Sequence, residues 1–555
     1  MSTKRNPEEA RSEQGFWTPA QQREKTPPCQ AQCPNSGDVR GWLGVIAQRD
    51  KLGISLEEAC DRAWRHLVER NPFPATIGRI CPHPCESLCS RAAKDGAVSI
   101  NAMERFLGDW GIERSLALPS TPDAACTESI GVIGSGPAGL SFAYQMARRG
   151  YPVAVYERRM EPGGMLRHAI PDYRLPRGVL DAEIRKILDL GVVLRPQVEA
   201  GDAISFEELR KRHRLLFLGM GAQAARRLRV AGEDGPGVFS GIEYLTRRKH
   251  GQLPAIGRRV AVVGGGNTAI DAARSARRDG AEVTLLYRRT RGEMPAAAHE
   301  VADALAEGVR FEFLAAPSRI LRDDQGVTGV EVQRMRLGAA DADGRPRPEP
   351  VPSEIFTLEA DTVLAAVSQE PSWPGFGAAD GHDWLHTVAN GRLADDIWAG
   401  GDDCGPGIAS RAIAQGRLAA EAAHAQLRGL PPPPSQPARP ALDPASIEPD
   451  YHASQPRAHA HRRPQAEWLT RPEVEIDQTL TSEEACAEAA RCMSCGLCFG
   501  CQQCFMYCNA SGFTRIASAE PGRYYVMALE ACEGCGKCIE LCPCGYLEAR
   551  DGQGW

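Results

Sequence analysis

The sequence lacks any apolar run approaching the roughly 18 residues that a membrane-spanning helix needs. Its opening stretch, MSTKRNPEEARSEQGF, is polar and has no apolar segment of the kind a secretory signal carries. Aromatic residues make up only 6%, too few for base-stacking platforms. There is no cationic surplus either. Sixty-five basic residues meet 71 acidic ones, for a net charge of −6, which argues against a polyanionic partner. Between Cys126 and Cys486 the chain has a single cysteine, Cys404. The middle of the chain therefore has no C-x2-C or C-x4-C pair for dithiol exchange. These absences point to a soluble, cytoplasmic protein.

What is present is concentrated. The 555 residues are too many for one core, and several domains are expected. All 20 cysteines but Cys126 and Cys404 crowd the two ends, many at gaps of two and three residues. Disulfide frameworks belong to short secreted chains. This spacing suits metal ligation.

Two glycine-rich turns lie between the cysteine clusters. In SIGVIGSGPAGLSFAYQMARRGYPVAVYE (129–157) an apolar strand leads into Gly134, Gly136 and Gly139, and a helix follows. The first glycine allows the tight turn, the second a close backbone approach to a pyrophosphate, and the third close helix–strand packing. The helix N-terminus favours the anion, and Glu157 ends the next strand where a ribose diol needs an acceptor. The turn RRVAVVGGGNTAIDAARSARRDGAEVTLLYRR (258–289) repeats the pattern with Gly264, Gly266 and Ala269, and Asn267 opens its helix. Here Arg288 and Arg289 replace the acid. A carboxylate would repel a 2′-phosphate whereas arginine pairs with it, so NADPH is favoured over NADH. These arginines facing solvent without a ligand is the competing reading.

The residues that follow the first turn, GGMLRHAIPDYRLPRGVLDAEI (163–184, with Gly164), resemble the small (beta) subunit of bacterial glutamate synthase and its relatives. So do TRGEMPA (290–296) and IWAGGDDCGPGIASRAIAQGRLAAEAA (397–423, with Asp402). The resemblance implies an FAD domain split by an inserted NAD(P) domain, with Asp402 near the flavin. The segment with CQAQCP (29–34) and RICPHPCESLC (79–89) resembles the iron–sulfur domain that those subunits share with dihydropyrimidine dehydrogenase. That domain usually leads with C-x2-C-x4-C-x3-C-P, but here QQREKTPP (21–28) lacks the first two cysteines. Carried over by register, one [4Fe–4S] cluster would use Cys33, Cys81, Cys85 and Glu104. A second would retain only Cys29 and Cys89 and is expected to be lost. Cys29 or Cys89 replacing Glu104, and thiols that are purely structural, are the alternatives.

At the other end, CEGCGKCIELCP supplies Cys532, Cys535, Cys538 and Cys542 in the spacing of two-cluster ferredoxins, where each run lends its fourth cysteine to the other cluster. Only one frame of CMSCGLCFGCQQCFMYC (492–508) contains the matching three-residue gap: Cys498, Cys501, Cys504 and Cys508. Pseudo-symmetry predicts Cys498, Cys501 and Cys504 with Cys542, and Cys532, Cys535 and Cys538 with Cys508. Cys486, Cys492, Cys495 and Cys544 remain, either structural or parts of a third centre.

The fold class expected is α/β, with two Rossmann-like dinucleotide-binding domains. An α-helical iron–sulfur domain precedes them and a small α+β bacterial-ferredoxin-like domain follows. The expected boundaries are 1–26 flexible, 27–125 iron–sulfur, 126–245 and 370–428 FAD, 246–369 NAD(P), 429–478 a Pro-rich linker, and 479–555 ferredoxin-like. The expected cofactors are FAD, NADP(H) or NAD(H), two C-terminal [4Fe–4S] clusters and one N-terminal cluster. The activity implied is an NAD(P)H:acceptor oxidoreductase within a hetero-oligomeric complex. Its partner would be a ferredoxin or another redox subunit, such as a 2-oxoacid:ferredoxin oxidoreductase or a glutamate synthase large subunit. A glutamate synthase small subunit and a non-catalytic relay are the alternatives. Hydride transfer needs no protein acid or nucleophile, and no catalytic residue is expected.

Overall fold

The computed structural model describes residues 19–340, 344–373, 384–434 and 439–550. Most of the expected flexible N-terminus (1–18) lies outside them, as do 341–343, 374–383, 435–438 and 551–555 of the other expected segments.

The N-terminal domain is helical. Its main helices are Val39–Ala47, Leu56–Val68, Pro74–Ile80 and Ile100–Glu113. Leu56–Val68 starts where Ser55 accepts a hydrogen bond from the Glu58 N–H, with Glu57 and Glu58 in its first turn and Arg65 and His66 in its last. Cap and charges both suit the helix dipole. Its apolar stripe, Ala59, Ala63, Trp64 and Leu67, is buried.

Two parallel sheets follow. In the first, Leu215–Leu218, Ile130–Ile133, Val153–Glu157 and Val193–Pro196 run side by side in that order, and Ile397–Ala399 returns to lie parallel to Leu215–Leu218. All four residues of Ile130–Ile133 are buried, as a strand covered on both faces requires. The second sheet has the order Arg310–Phe313, Glu282–Tyr287, Arg259–Val263, Thr362–Ala365, Val238–Ser240. Val238–Ser240 thus belongs to the inserted domain, which begins ahead of the expected residue 246. Three residues flanked by glycines carry too little periodicity to announce a strand. An antiparallel sheet, Ala315–Asp323, Gly326–Ala340 and Pro346–Glu359, extends this domain.

Arg174, in the IPDYRLP stretch of the first domain, reaches Asp271 on the helix Asn267–Arg278 with contacts of 2.8 and 2.7 Å. The motif that resembles the glutamate synthase small subunit therefore fastens the two nucleotide domains together.

The Pro-rich segment expected to be a linker is instead a packed strap. Trp468 and Ile476 are buried. Arg457 pairs with Glu86, Arg462 with Asp303, and Glu475 with Arg79 and Arg105. Proline removes donors and bars regular helix, but it does not prevent an extended chain from burying its few apolar side chains. The C-terminal module carries the hairpin Phe513–Glu520 and Arg523–Met527. Its last strand, Leu547–Ala549, pairs antiparallel with Ala20–Gln22, so the two ends of the chain meet.

Candidate functional site

A cleft of ≈ 300 Å³ opens at the first glycine turn. The helix Pro137–Ala147 starts there with Gly136 as N-cap, Pro137 in its first turn and no side-chain cap. Its first N–H groups are left for a ligand. Gly134 takes φ +93°, and a Cβ on it would lie 2.2 Å from the Gly219 carbonyl oxygen. A Cβ on Gly136 would meet only that same oxygen, at 4.0 Å. The two glycines have different tasks: Gly134 makes the turn, and Gly136 leaves room above it. Glu157 and Gly164 also line the cleft. Glu157 accepts from the Ser135 N–H at 3.0 Å and the Arg159 N–H at 2.9 Å, which orients its carboxylate at the strand end. These features fit the adenosine and pyrophosphate of FAD.

Asp402 lines the far side and accepts from the Gly407 N–H at 3.1 Å. Its neighbour Asp403 is fully buried and receives the Met220 and Gly221 N–H groups. Burial pushes Asp403 up to about 7, against the pull of those two bonds. Sequence reading passed over Asp403. Its signal was the doubled acid of GGDDCG, of which one member ties two loops while the other faces the cleft.

The second turn repeats the logic. Gly264 takes φ +145°, Gly266 caps the helix Asn267–Arg278 without a side-chain bond, and Ala269 is buried. Asn267 accepts from the Ala297 N–H at 3.1 Å and lines the flavin cleft with Thr268 and Asp271. The second helix thus opens beside the first site. The two arginines separate. Arg289 is buried and its Nε donates to the Pro346 carbonyl at 2.7 Å, whereas Arg288 is exposed. A third arginine, Arg345, donates to the Tyr287 hydroxyl at 3.1 Å and to the Glu293 carbonyl at 2.6 Å. It arrives from the antiparallel sheet, which no local motif could indicate.

Cys33, Cys81, Cys85 and Glu104 line one pocket. Burial, with the neighbouring Glu104 and Cys33, holds the Cys81 thiol at about 12. Burial alone raises Glu104 to about 7, and its Oε1 accepts from Asn71 Nδ2 at 2.8 Å. Acidic groups gathered this way ionise together only around a cation, and the donor set fits an iron site. Cys81 also lines the flavin cleft, where it is the one cysteine among the described residues.

In the C-terminal module the thiols of the two runs lie within each other's electrostatic reach. Cys498, Cys501 and Cys504 share their electrostatic surroundings with Cys542. Cys538 shares its own with Cys532, Cys535 and Cys508. Cys486 stands apart beside Cys60 and accepts from Arg49 Nη1, and Cys544 backs Cys542 at 3.8 Å. Among the described residues no three His, Cys, Asp or Glu side chains converge on a single ion. Cys33, Cys81, Cys85 and Glu104 would hold a [4Fe–4S] group in the helical domain, where it would supply one-electron transfer.

Residues 128–416 match the family model for pyridine nucleotide-disulphide oxidoreductases. Residues 22–116 match dihydropyrimidine dehydrogenase domain II, 4Fe-4S cluster. The chain is 42% identical over 353 residues to the NADPH-Fe(3+) oxidoreductase subunit beta of Geobacter sulfurreducens, an alignment taking in 62% of this chain and 51% of that one. It is 35% identical over 446 residues to the NADP(+)-dependent formate dehydrogenase subunit beta of Moorella thermoacetica, at 73% and 60% coverage. It is 35% identical over 426 residues to the glutamate synthase [NADPH] small chain of Azospirillum brasilense, at 72% and 86%. The chain thus spans about half the length of the first relative. No helix among the described residues is long and apolar enough to cross a membrane. The matches bring FAD, a nicotinamide coenzyme and 4Fe–4S chemistry; the first matched span holds both glycine turns, the second the helical domain. The chain belongs to the pyridine nucleotide-disulphide oxidoreductase family, in company with glutamate synthase small chains.

Proposed function

We propose that the chain is an NAD(P)H:acceptor oxidoreductase, the electron-transfer subunit of a cytoplasmic complex whose acceptor is a ferredoxin or a partner redox enzyme. The observation that carries this reading is the double position of Cys81, which lines both the flavin cleft and the pocket of Cys33, Cys85 and Glu104. The two spaces lie on either side of the first turns of the helix Ala409–Arg428: Ala409 and Ala412 line the cleft, Ser410 and Ile413 the pocket. NAD(P)H gives up a hydride and leaves as NAD(P)+; two equivalents of a one-electron acceptor take the two electrons, and the proton is released to solvent. A bound flavin supplies the conversion between paired and single electrons. The residues around it position it and keep water out. Cys535 is exposed, as are Phe505, Met506 and Tyr507 at the helix Gln503–Met506, which packs against Lys537–Glu540; together they suit an acceptor's docking face. Twenty cysteines without a disulfide suit a reducing compartment.

Anaerobically purified chain is expected to carry one FAD, to bleach on adding NAD(P)H, and to pass electrons on to a viologen dye. Absence of flavin, or flavin that NAD(P)H leaves oxidised, rejects the reading in favour of a non-catalytic relay. A second reading, the small chain of a glutamate synthase, draws on the 86% coverage of the Azospirillum relative. Glutamine-dependent amination of 2-oxoglutarate in the presence of a large chain would select it.

For the coenzyme, we propose NADPH held by Arg288 with Arg345 at the end of Glu282–Tyr287. Replacing both with alanine is expected to lower the NADPH-over-NADH ratio of kcat/KM by about 10-fold or more. An unchanged ratio places the 2′-phosphate elsewhere. Arg289→Ala, which removes a buried bond to Pro346, is expected to act on stability and leave the ratio unaltered.

A further inference from the structure

Cys29 and Cys89 look in the sequence like remnants of a site whose first two cysteines have gone. The stretch that replaces those cysteines, 21–28, runs along the C-terminal module. Ala20–Gln22 pairs with Leu547–Ala549, the Lys25 N–H donates to the Gly496 carbonyl at 3.1 Å, and Lys25 Nζ donates to the Gly545 carbonyl at 2.6 Å. The chain then delivers Cys29, in the helix Pro28–Gln32, onto the loop that holds Cys492 and Cys495.

That loop is fixed in place from several sides. Arg491 is buried and bonded to Asp95, Glu488 and the carbonyls of Gly96 and Ala97. Glu488 receives the N–H groups of Ser99 and Ala458, each at 2.7 Å. Arg40, also buried, donates to the carbonyls of Cys495 at 2.7 Å and Lys25 at 2.8 Å. Cys495 Sγ lies 3.5 Å from the Ser90 hydroxyl, one residue beyond Cys89. Cys29, Cys89 and Cys492 pack against the same helical core. Burial raises the Cys29 thiol, and the next three contributions come from Cys492, Cys495 and Cys89.

We propose that Cys29, Cys89, Cys492 and Cys495 form a further [4Fe–4S] site, its two missing ligands supplied by a C-x2-C hook from the opposite end of the chain. The four thiols come from three segments in two domains, with Cys495 Sγ against Ser90 beside Cys89, and with Cys29, Cys89 and Cys492 packed on one helical core. Arg40 stands beside them as a fixed positive charge, which suits a cage of four thiolates. On this proposal the site expected to be lost is kept, and the hook takes the second of its two readings, as part of a further centre.

Its position gives the site a use, which rests on the oxidoreductase reading above. Cys33 donates its N–H to the Cys29 carbonyl at 3.1 Å, and the helix Pro84–Ser87, which carries Cys85 and leads on to Cys89, packs against Pro28–Gln32. The new cage therefore adjoins that of Cys33, Cys81 and Cys85. On its other side, Cys495 is followed one turn later by Cys498 of the first ferredoxin cage. A cage there would link the pocket of Cys33, Cys81 and Cys85 with the C-terminal module.

The test is iron and acid-labile sulfide per chain in the full-length protein, purified anaerobically, with low-temperature EPR after dithionite. Cys492→Ser with Cys495→Ser is expected to lose about four irons and four sulfides. Cys29→Ser is expected to lose the same, and all three together no more. Cys486→Ser, at a thiol that stands apart beside Cys60 and Arg49, is expected to lose none, which controls for general damage to the module. Wild-type iron in the hook variant, additive losses in the triple variant, or zinc without sulfide in the native chain would overturn the proposal. Bleaching of the flavin by NAD(P)H is a separate readout, expected to persist in the hook variant. Its failure in the native chain would sink the oxidoreductase reading and leave the metal count to decide the site.

Discussion

Gly266→Val is expected to fold, to retain its flavin, and to be reduced by NAD(P)H at least about 100-fold more slowly. At φ −91° and ψ 175° the backbone of Gly266 is open to any L-residue. A Cβ there would meet only Pro295 Cγ, at 4.0 Å. The protein has room for the side chain; the coenzyme does not, because the added methyls stand over the uncapped N-terminus that a pyrophosphate must approach. Gly136→Val makes the reciprocal case. Its φ is −70° and its space is equally open, so that variant is expected to emerge folded and without flavin. Gly264 cannot serve as the probe, since a Cβ would sit 2.2 Å from the Ala366 carbonyl and the turn itself would fail. Flavin absorbance and stopped-flow bleaching read the two variants apart. If Gly266→Val is reduced within about twofold of the native rate, the nicotinamide coenzyme does not use this turn.

Those two turns were open to sequence reading because strand, turn and helix are contiguous, and each glycine answers a local steric demand. The two ferredoxin runs were legible as well, since a twofold repeat of spacing lies open in the sequence. The remaining thiols were not. Cys29 and Cys492 belong to opposite ends of the chain, and no spacing rule relates them; the strand pairing of Ala20–Gln22 with Leu547–Ala549 and the bonds of Lys25 and Arg40 bring those ends together. The arginines show a different limit. Adjacent residues at a strand end point to opposite faces, so of Arg288 and Arg289 only one could face the coenzyme, and the sequence did not say which. The strap misled through composition: its prolines and alanines read as a spacer, while Trp468 and Ile476 gave the quieter signal of a segment with something to bury.

The strap and the IPDYRLP motif meet in a charge cluster whose balance yields the second large expectation. Four guanidiniums, from Arg174, Arg274, Arg278 and Arg462, face four carboxylates, from Asp271, Glu300, Asp303 and Glu307. Arg174 belongs to the flavin domain and Arg462 to the strap; the rest lie on two adjacent helices of the nicotinamide domain. Arg274 is 1% exposed and Glu307 fully buried at its side chain, and the Tyr173 ring lies 3.8 Å below Arg278. Arg274→Met leaves three cations for four buried anions. An unmatched buried charge costs about 3–5 kcal/mol. The helix Asn267–Arg278 should then exchange its amides roughly two to three orders of magnitude faster in native-state hydrogen exchange. Arg274→Met with Glu300→Gln restores the count, because Asp271 keeps Arg174, Glu307 keeps Arg278 and Asp303 keeps Arg462. That double variant should recover most of the loss, although it removes one more ion pair than the single. If instead the double variant is the less stable of the two, the cluster is held by its individual pairs and not by its overall neutrality.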